Sequence, residues 1–151
     1  MLFRSSARIA ARSGVMSGYS GTPLVKKLGI KPGATLCPIG EPADYLRLLG
    51  ELPAGVHVVR QLRGEVDMIH FFSKDRAELA ERLPKFMRRI VQDGVIWISW
   101  PKKASGIPST ITEDVVREIA LPLGLVDTKV CAVDEVWSGL KLVIRVVNRK
   151  G

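Results

Sequence analysis

The sequence has few of the residues that build disulfide frameworks, metal sites and aromatic surfaces. Its 151 residues include two cysteines and two histidines, and aromatic residues make up 6%. There is no Cys-x-x-Cys, and no histidine stands at ligand spacing from Cys37 or Cys131. Both cysteines lie in apolar runs, so we expect two buried thiols in a reducing compartment and neither a disulfide framework nor a zinc site.

Long apolar runs and familiar catalytic signatures are also missing. Charged residues interrupt every hydrophobic stretch before it reaches the roughly 18 residues that span a bilayer. The sequence contains no Gly-x-Ser-x-Gly, no P-loop and no His-Glu-x-x-His. The two histidines, His57 and His70, lie in predicted strands without a catalytic partner at a recognisable spacing. We therefore expect a cytoplasmic protein that is not integral to a membrane, with each histidine in a structural role.

Acidic residues are missing from the first 33 positions, which hold six Lys and Arg residues. Residues 34–151 carry 17 basic and 15 acidic residues, so the net charge of +8 belongs mainly to this N-terminal arm. The nearly balanced charge of the body argues against nucleic acid as a partner, although the basic arm from Arg4 to Lys31 could bind it.

Residues 1–15 have two interpretations. Arg4, Arg8 and Arg12 form a basic stripe without acids, as in a mitochondrial transit peptide, and this would place the protein in the matrix. Alternatively, Met16 is the true start and the preceding residues are an upstream extension or a disordered tail. We favour the second interpretation because residues 1–15 are few for a transit peptide. The expected organisation is a tail over residues 1–18 and one domain over residues 19–151.

Strands alternate with helical segments along the rest of the chain. Apolar runs predict strands at residues 34–39, 56–60, 66–72, 95–100, 125–133 and 140–147. Helical spacing predicts helices at residues 24–28, 42–52, 75–94 and 110–121. This order predicts a three-layer Rossmann-like α/β fold with a mostly parallel sheet of about six strands. The last two strands are joined by too few residues for a crossover, so we expect them to form an antiparallel hairpin.

Three local features refine the two longer helices. Asp75 with Glu78, and Thr110 with Glu113, have the spacing of capping boxes at helix starts. Pro84 lies inside the first of these helices and is expected to kink it.

Several segments resemble class I S-adenosylmethionine-dependent methyltransferases. They are Leu28-Gly-Ile-Lys-Pro-Gly33 leading into a strand that ends at Gly40, then Asp67-Met-Ile-His-Phe-Phe72, Gln92-Asp-Gly-Val-Ile-Trp-Ile-Ser99 and the hairpin after Gly124. The likeness is one of layout and covers most of residues 24–147. The link between Arg60 and Val66 is too short for a crossover helix, so one strand and one helix of that layout are missing.

The chain more closely resembles an uncharacterised bacterial family called domain of unknown function 3052. That resemblance rests on Tyr19-Ser-Gly-Thr-Pro23, Trp100-Pro-Lys102, Glu113-Asp-Val-Val-Arg117 and Val133-Asp-Glu-Val-Trp-Ser-Gly139. The resemblance implies a start near Met16, and it implies no function.

The methyltransferase resemblance implies an acid and a Gly-x-Gly-x-Gly turn after the first strand, and a ribose-binding acid after the second. When this motif is aligned on Gly40, Pro38 stands at the position of the first acid. Pro42 and Asp44 stand at the positions of the two later glycines. The second strand ends at Arg60, which cannot accept a hydrogen bond. Each missing charged contact costs on the order of 1.5–3 kcal/mol, so we disfavour S-adenosylmethionine as a cofactor and expect none.

Ligands of open α/β sheets bind beyond the carboxyl ends of the strands. At this edge, lysines are expected to hold an anion together with the hydroxyls of Ser105 and Ser109. Two tryptophans are expected to form apolar walls, and Asp134 is expected to pair with a lysine. The alternative is that the tryptophans are packed and the lysines solvated. The predicted binding residues are Gly40, Lys74, Trp100, Lys102, Lys103, Ser105, Asp134 and Trp137.

Three functional hypotheses follow. The first is a non-enzymatic binding or regulatory module that takes a small anion or an acidic protein segment at this edge. The second is a divergent S-adenosylmethionine-dependent methyltransferase, and the third is nucleic-acid binding through the basic arm.

Overall fold

A computed structural model of the chain describes residues 22–149. The predicted tail, the arginine stripe and most of the basic arm lie outside the described residues, so the hypotheses about them stay predictions. The helices are α1 (Leu24–Leu28), α2 (Tyr45–Leu49), α3 (Arg76–Met87) and α4 (Glu113–Ala120). The strands are β1 (Thr35–Ile39), β2 (His57–Val58), β3 (Val66–Phe72), β4 (Ile90–Pro101), β5 (Leu125–Ala132) and β6 (Trp137–Ile144).

The strands form one sheet in the order β2-β1-β3-β4-β6-β5. The first four are parallel to one another, and β6 runs antiparallel to both β4 and β5. The link between β5 and β6 is a tight turn, in which the amide of Val133 donates to the carbonyl of Trp137 over 2.8 Å. Such a link permits only an antiparallel pair. The predicted α/β fold and its closing hairpin are confirmed.

Helices cover both faces of the sheet and give the three layers. Side chains alternate along each strand, so neighbouring residues of β3 and β4 enter different cores. On one face, Phe71 and Ile98 pack with residues of α3 and α4. On the other face, Phe72 and Trp97 pack with residues of α1 and α2. The indole nitrogen of Trp97 donates to the carbonyl of Leu28 over 3.1 Å and attaches α1 to the sheet.

Some element boundaries differ from the predictions. Helix α2 is shorter than the predicted 42–52, and β6 begins at Trp137, which pairs with Pro101 of β4. Gly94 lies inside β4 and does not close the preceding helix. A Cβ at Gly94 would lie 3.0 Å from the carbonyl oxygen of Asp67, so the glycine permits a close approach of β4 to β3.

The helix starts confirm one cap and correct the rest. The carboxylate of Asp75 accepts from the amide of Ala77 over 2.9 Å and caps α3, as predicted. Glu78 does not complete a capping box, because its carboxylate accepts from the hydroxyl of Ser73 over 2.5 Å. Thr112, not Thr110, caps α4 by accepting from the amide of Val115. The hydroxyl of Thr110 accepts instead from the first amide of α3, at Arg76, over 2.7 Å.

No helix within residues 22–149 is both long and apolar enough to cross a bilayer.

Candidate functional site

The candidate site is the carboxyl edge, meaning the edge of the sheet at which β1, β3, β4 and β5 end and β6 begins. It comprises residues 40–41, 60, 73–74, 100–105 and 133–137. All eight predicted binding residues lie there, because the carboxyl ends of parallel strands meet at one edge. Their side chains, however, do not converge on one pocket.

Gly40 directly follows β1 and has a left-handed backbone, with φ of +72°. A Cβ at this position would lie 2.7 Å from the carbonyl oxygen of Phe72 in the adjacent strand, far inside contact distance. The need for glycine here thus arises from the neighbouring strand and from the positive φ. A bound ligand is not needed to explain it.

Glu41 and Arg60 form an ion pair that joins the ends of β1 and β2. A guanidinium nitrogen of Arg60 donates to the carboxylate of Glu41 over 2.6 Å. The side chain of Glu41 is 17% exposed and that of Arg60 is 68% exposed. The methyltransferase resemblance places a ribose-binding acid at Arg60, and a guanidinium has no acceptor for a hydroxyl. Glu41 and Arg60 therefore do not fit the way in which these methyltransferases usually hold S-adenosylmethionine.

The segment after Gly40 leads into α2, which is only five residues long. Its N-cap residue, Asp44, makes no capping hydrogen bond within the described part of the chain, and its carboxylate pairs with Arg47 over 2.8 Å. Asp44 thus occupies the position of an expected glycine and uses its side chain within its own helix.

A buried hydrogen-bonded chain lies beneath this segment. The hydroxyl of Tyr45 and Nδ1 of His70 are 2.8 Å apart, and Nε2 of His70 lies 2.8 Å from the hydroxyl of Ser99. The exposed fraction is 2% for Tyr45 and 0% for both His70 and Ser99. Burial lowers the pKa of His70 to about 3 and raises the pKa of Tyr45. A neutral imidazole has one donor and one acceptor, which matches its two partners.

These hydrogen bonds identify His70 as a hydrogen-bonded core residue, as expected. It connects α2, β3 and β4 and is closed to solvent, so its hydroxyls and imidazole cannot reach a substrate from the carboxyl edge. Tyr45 and Ser99 were not predicted as partners of His70, because they lie on elements far apart in the chain.

The two tryptophans do not form the walls of one pocket, so that prediction is wrong. Trp137 packs on the α1 and α2 face, with its ring 5.1 Å from the ring of Phe72. Trp100 is 7% exposed and packs in the core beneath α3 and α4. In the register of β4 and β6, Trp137 lies opposite Pro101, while Trp100 lies opposite Ser138. Residues opposite each other share a face, and neighbours in a strand do not.

The polar residues of the turns mostly hold the turns themselves. The carboxylate of Asp134 accepts from the amides of Val136 and Trp137, each over 2.8 Å. The hydroxyl of Ser105 donates to the carbonyl of Lys102 over 2.7 Å. The hydroxyl of Ser109 accepts from an amide two residues later. We expected the serine hydroxyls to hold an anion and Asp134 to be an ion-pair partner. Both expectations are corrected, because these side chains stabilise turns.

The lysines of the edge remain available. Within residues 22–149, no carboxylate lies within 4.0 Å of the ammonium groups of Lys74, Lys102 or Lys103. Lys102 lines a shallow cleft of about 480 Å³ together with Glu135, which is exposed. The cleft also contains Ala104, Val130, Cys131, Ala132 and Ser138.

A further lysine adds to this positive charge. Lys27 at the end of α1 donates to the carbonyl of Ala132 over 2.8 Å. Burial lowers the pKa of Lys27, the charge of Lys102 lowers it further, and Asp134 acts in the opposite direction. From the sequence, Lys27 was assigned to the basic arm, and its place at the carboxyl edge was not predicted.

Cys131 beside this lysine is only half-buried, which corrects the expectation of two buried thiols; Cys37 is buried. Burial raises the pKa of the Cys131 thiol against the effect of Lys27 and Lys129. Among the described residues there is no group of three or more His, Cys, Asp or Glu side chains that could hold a metal ion.

The profile of the family described as "Protein of unknown function (DUF3052)" matches residues 55–146, more than half of the chain. The chain belongs to the DUF3052 family. The match spans the strands from β2 to β6 and includes Lys74, Lys102, Lys103, Asp134 and Trp137. No functionally curated protein matches this DUF3052 chain.

Solved structures similar to the DUF3052 chain include S-adenosylmethionine-dependent methyltransferases. The enzyme from Aquifex aeolicus superposes with a TM-score of 0.57 at 19% identity, over 80% of this chain and 88% of that one. Magnesium protoporphyrin IX methyltransferase from Synechocystis PCC 6803, with bound S-adenosylmethionine, gives a TM-score of 0.57 at 15% identity, over 80% and 74% of the chains. At this identity, the likeness establishes a methyltransferase-like fold.

Proposed function

We propose that the DUF3052 chain is a non-enzymatic binding or regulatory module whose carboxyl edge takes a small anion or an acidic protein segment. The observation that carries this proposal is the set of lysines at that edge, Lys74, Lys102 and Lys103, which have no carboxylate partner among the described residues.

The charge balance at the edge favours an anion. The carboxylate of Glu41 is neutralised by Arg60, and that of Asp134 is held by two backbone amides. Lys27 and Lys102 are close enough for one charge to lower the pKa of the other group. An anion placed between them relieves this repulsion and gains charge-assisted hydrogen bonds.

A role without catalysis is supported by how the reactive groups are used. The hydroxyls of Ser105 and Ser109 hold turns, and the imidazole of His70 lies in the core between Tyr45 and Ser99. General acid–base chemistry needs a titrating group within reach of a substrate, and none of these side chains meets that condition.

Titration of the full chain with inorganic phosphate, and separately with a short polyglutamate peptide, tests the proposal. Lys102→Ala with Lys103→Ala is expected to weaken binding of the preferred probe about ten- to a hundredfold, since charged contacts are lost. Glu135→Gln is expected to strengthen it, because a negative charge leaves the same cleft. Arg88→Ala with Arg89→Ala, which removes two exposed charges before β4, is the matched control and is expected to change little.

Three results would count against this proposal: neither probe binds, the double lysine variant binds as the wild type does, or the arginine control loses as much affinity. Phosphate binding without peptide binding assigns a small anion. The reverse result assigns an acidic protein segment.

A divergent S-adenosylmethionine-dependent methyltransferase is the second candidate, favoured by the fold shared with the Synechocystis enzyme, whose crystals contain that cofactor. It requires a way of binding that avoids the Glu41–Arg60 pair and the substituted glycine positions. Isothermal titration with millimolar S-adenosylmethionine tests it. Heat from stoichiometric binding, retained in the double lysine variant, supports the methyltransferase, and no heat eliminates it.

A further inference from the structure

A separate cleft of about 410 Å³ opens at the amino edge of the sheet, opposite the carboxyl edge. One wall is the loop of residues 29–34 between α1 and β1, and the other consists of residues from β3, β4 and β6. Ligand pockets in proteins measure roughly 300–1,000 Å³, so this cleft suits a small molecule. The proposed anion site does not involve it.

The floor of the cleft is apolar and is built by one row of residues across three strands. Met68 of β3 lies opposite Val95 of β4, and Val95 lies opposite Val143 of β6. Met68 is buried, while both valines are half-buried and line the cleft. This row provides a surface for an apolar group.

The rim of the cleft carries charges of both signs. Asp67, Asp93, Lys31 and Lys141 line it, yet none of the four forms an ion pair within 4.0 Å among residues 22–149. One oxygen of Asp67 accepts from the amide of Thr35 over 2.7 Å, which anchors that carboxylate at the rim. Carboxylates and ammonium groups that face one cleft without pairing are matched by a ligand that carries both charges.

We propose that this cleft, the amino-edge cleft, binds a small zwitterion, specifically an α-amino acid with an aliphatic side chain. Asp67 and Asp93 receive its ammonium group, and Lys31 and Lys141 receive its carboxylate. The aliphatic side chain covers the row of Met68, Val95 and Val143. A simple anion would satisfy only the lysines and leave the two carboxylates facing it.

NMR titration of the full chain with L-leucine tests this proposal. Two analogues each remove one charge: 4-methylpentanoate lacks the ammonium group and 3-methylbutylamine lacks the carboxylate. L-leucine is expected to shift the resonances of Met68, Val95 and Val143. Each analogue is expected to bind about ten- to a hundredfold more weakly, the range of a lost charge-assisted contact. Glycine, which lacks the aliphatic group, is also expected to bind more weakly than L-leucine.

Charge-specific variants test the orientation. Asp93→Asn is expected to weaken binding of L-leucine but not of 4-methylpentanoate, and Lys141→Met is expected to weaken binding of L-leucine but not of 3-methylbutylamine. Glu65→Gln and Lys85→Met, which remove exposed charges outside the cleft, are the matched controls. The amide spectrum of each variant establishes that it remains folded.

The proposal is overturned if millimolar L-leucine shifts no resonance of the cleft, if both analogues bind as well as L-leucine, or if the two cleft variants bind it as the controls do. The cleft shares no residue with the carboxyl edge, so failure of the anion proposal leaves this proposal unaffected.

Discussion

Arg60 donates a 2.6 Å hydrogen bond to Glu41 and so joins the end of β2 to the turn after β1. A methyltransferase of this fold is expected to present an acceptor for ribose hydroxyls at the position of Arg60. This chain has a donor there, and the donor already holds the nearest carboxylate. A nucleoside that binds as in those methyltransferases would have to displace the Glu41–Arg60 ion pair and would gain no acceptor at Arg60.

We predict that this ion pair contributes little to stability. Its arginine is 68% exposed, and surface pairs of this kind contribute about 0–1 kcal/mol. Glu41→Gln and Arg60→Met are each expected to lower the free energy of unfolding in urea by less than about 1 kcal/mol. The double variant should lose no more than the sum of the two. A loss above about 2 kcal/mol from either single change would show that the pair is a structural element of the edge.

Gly40 and Gly106 provide a matched test of why glycine follows β1. Both have left-handed backbones, with φ of +72° and +76°. A Cβ at Gly40 would collide with the carbonyl oxygen of Phe72, whereas a Cβ at Gly106 would meet no atom of residues 22–149 within 4 Å. Gly106→Ala is expected to cost about 1–2 kcal/mol of backbone strain. Gly40→Ala is expected to cost about 1–3 kcal/mol more through overpacking, measured by urea unfolding. Equal losses would refute the steric explanation.

Thr112 and Thr110 test which threonine begins α4. Thr112→Ala is expected to cost about 1 kcal/mol because the amide of Val115 loses its cap, while Thr112→Ser keeps the hydroxyl and the stability. Hydrogen exchange locates the effect: Thr112→Ala should speed exchange at the Val115 amide, and Thr110→Ala should speed it at Arg76. If Thr110→Ala instead speeds exchange at the Val115 amide, Thr110 is the cap of α4, as predicted from the sequence.

The fold was predictable because its strongest signals are local. The apolar run at residues 66–72 coincides with β3, and the short link between β5 and β6 permits only a hairpin. Buried parallel strands need such runs, and tight links exclude crossovers. The helix starts were less predictable. Thr110 and Thr112 both precede acidic residues, and the choice between them depends on a contact of Thr110 with the first turn of α3.

The candidate site was predictable as an edge of the sheet but not as a set of contacts. Which face Trp100 and Trp137 occupy depends on the register between β4 and β6, and no local pattern specifies that register. Likewise, the ion pair of Glu41 with Arg60 joins residues 19 positions apart. Such contacts arise from tertiary packing, so the sequence locates the loops and the structure determines their partners.

The buried position of His70 has a consequence for stability at acidic pH. Burial lowers its pKa in the folded protein to about 3, whereas an unfolded histidine titrates near its ordinary value of about 6.5. Between these two values the unfolded chain binds a proton that the folded chain does not bind. The stabilisation is therefore fully present above about pH 6.5 and is progressively lost as the pH falls toward 3, by about 1.4 kcal/mol per pH unit.

We predict that His70→Gln removes this dependence while it keeps a polar side chain between Tyr45 and Ser99. The variant should be less stable than the wild type at pH 7, since the geometry of two buried hydrogen bonds changes. From pH 7 to pH 5, that difference should shrink by about 2 kcal/mol, because only the wild type loses the histidine contribution. Urea unfolding at both pH values measures it, with His57→Gln, which alters the exposed histidine, as the control. If the stability difference between wild type and His70→Gln stays constant across this range, His70 takes up a proton in the folded protein and the closed core assigned to it is wrong.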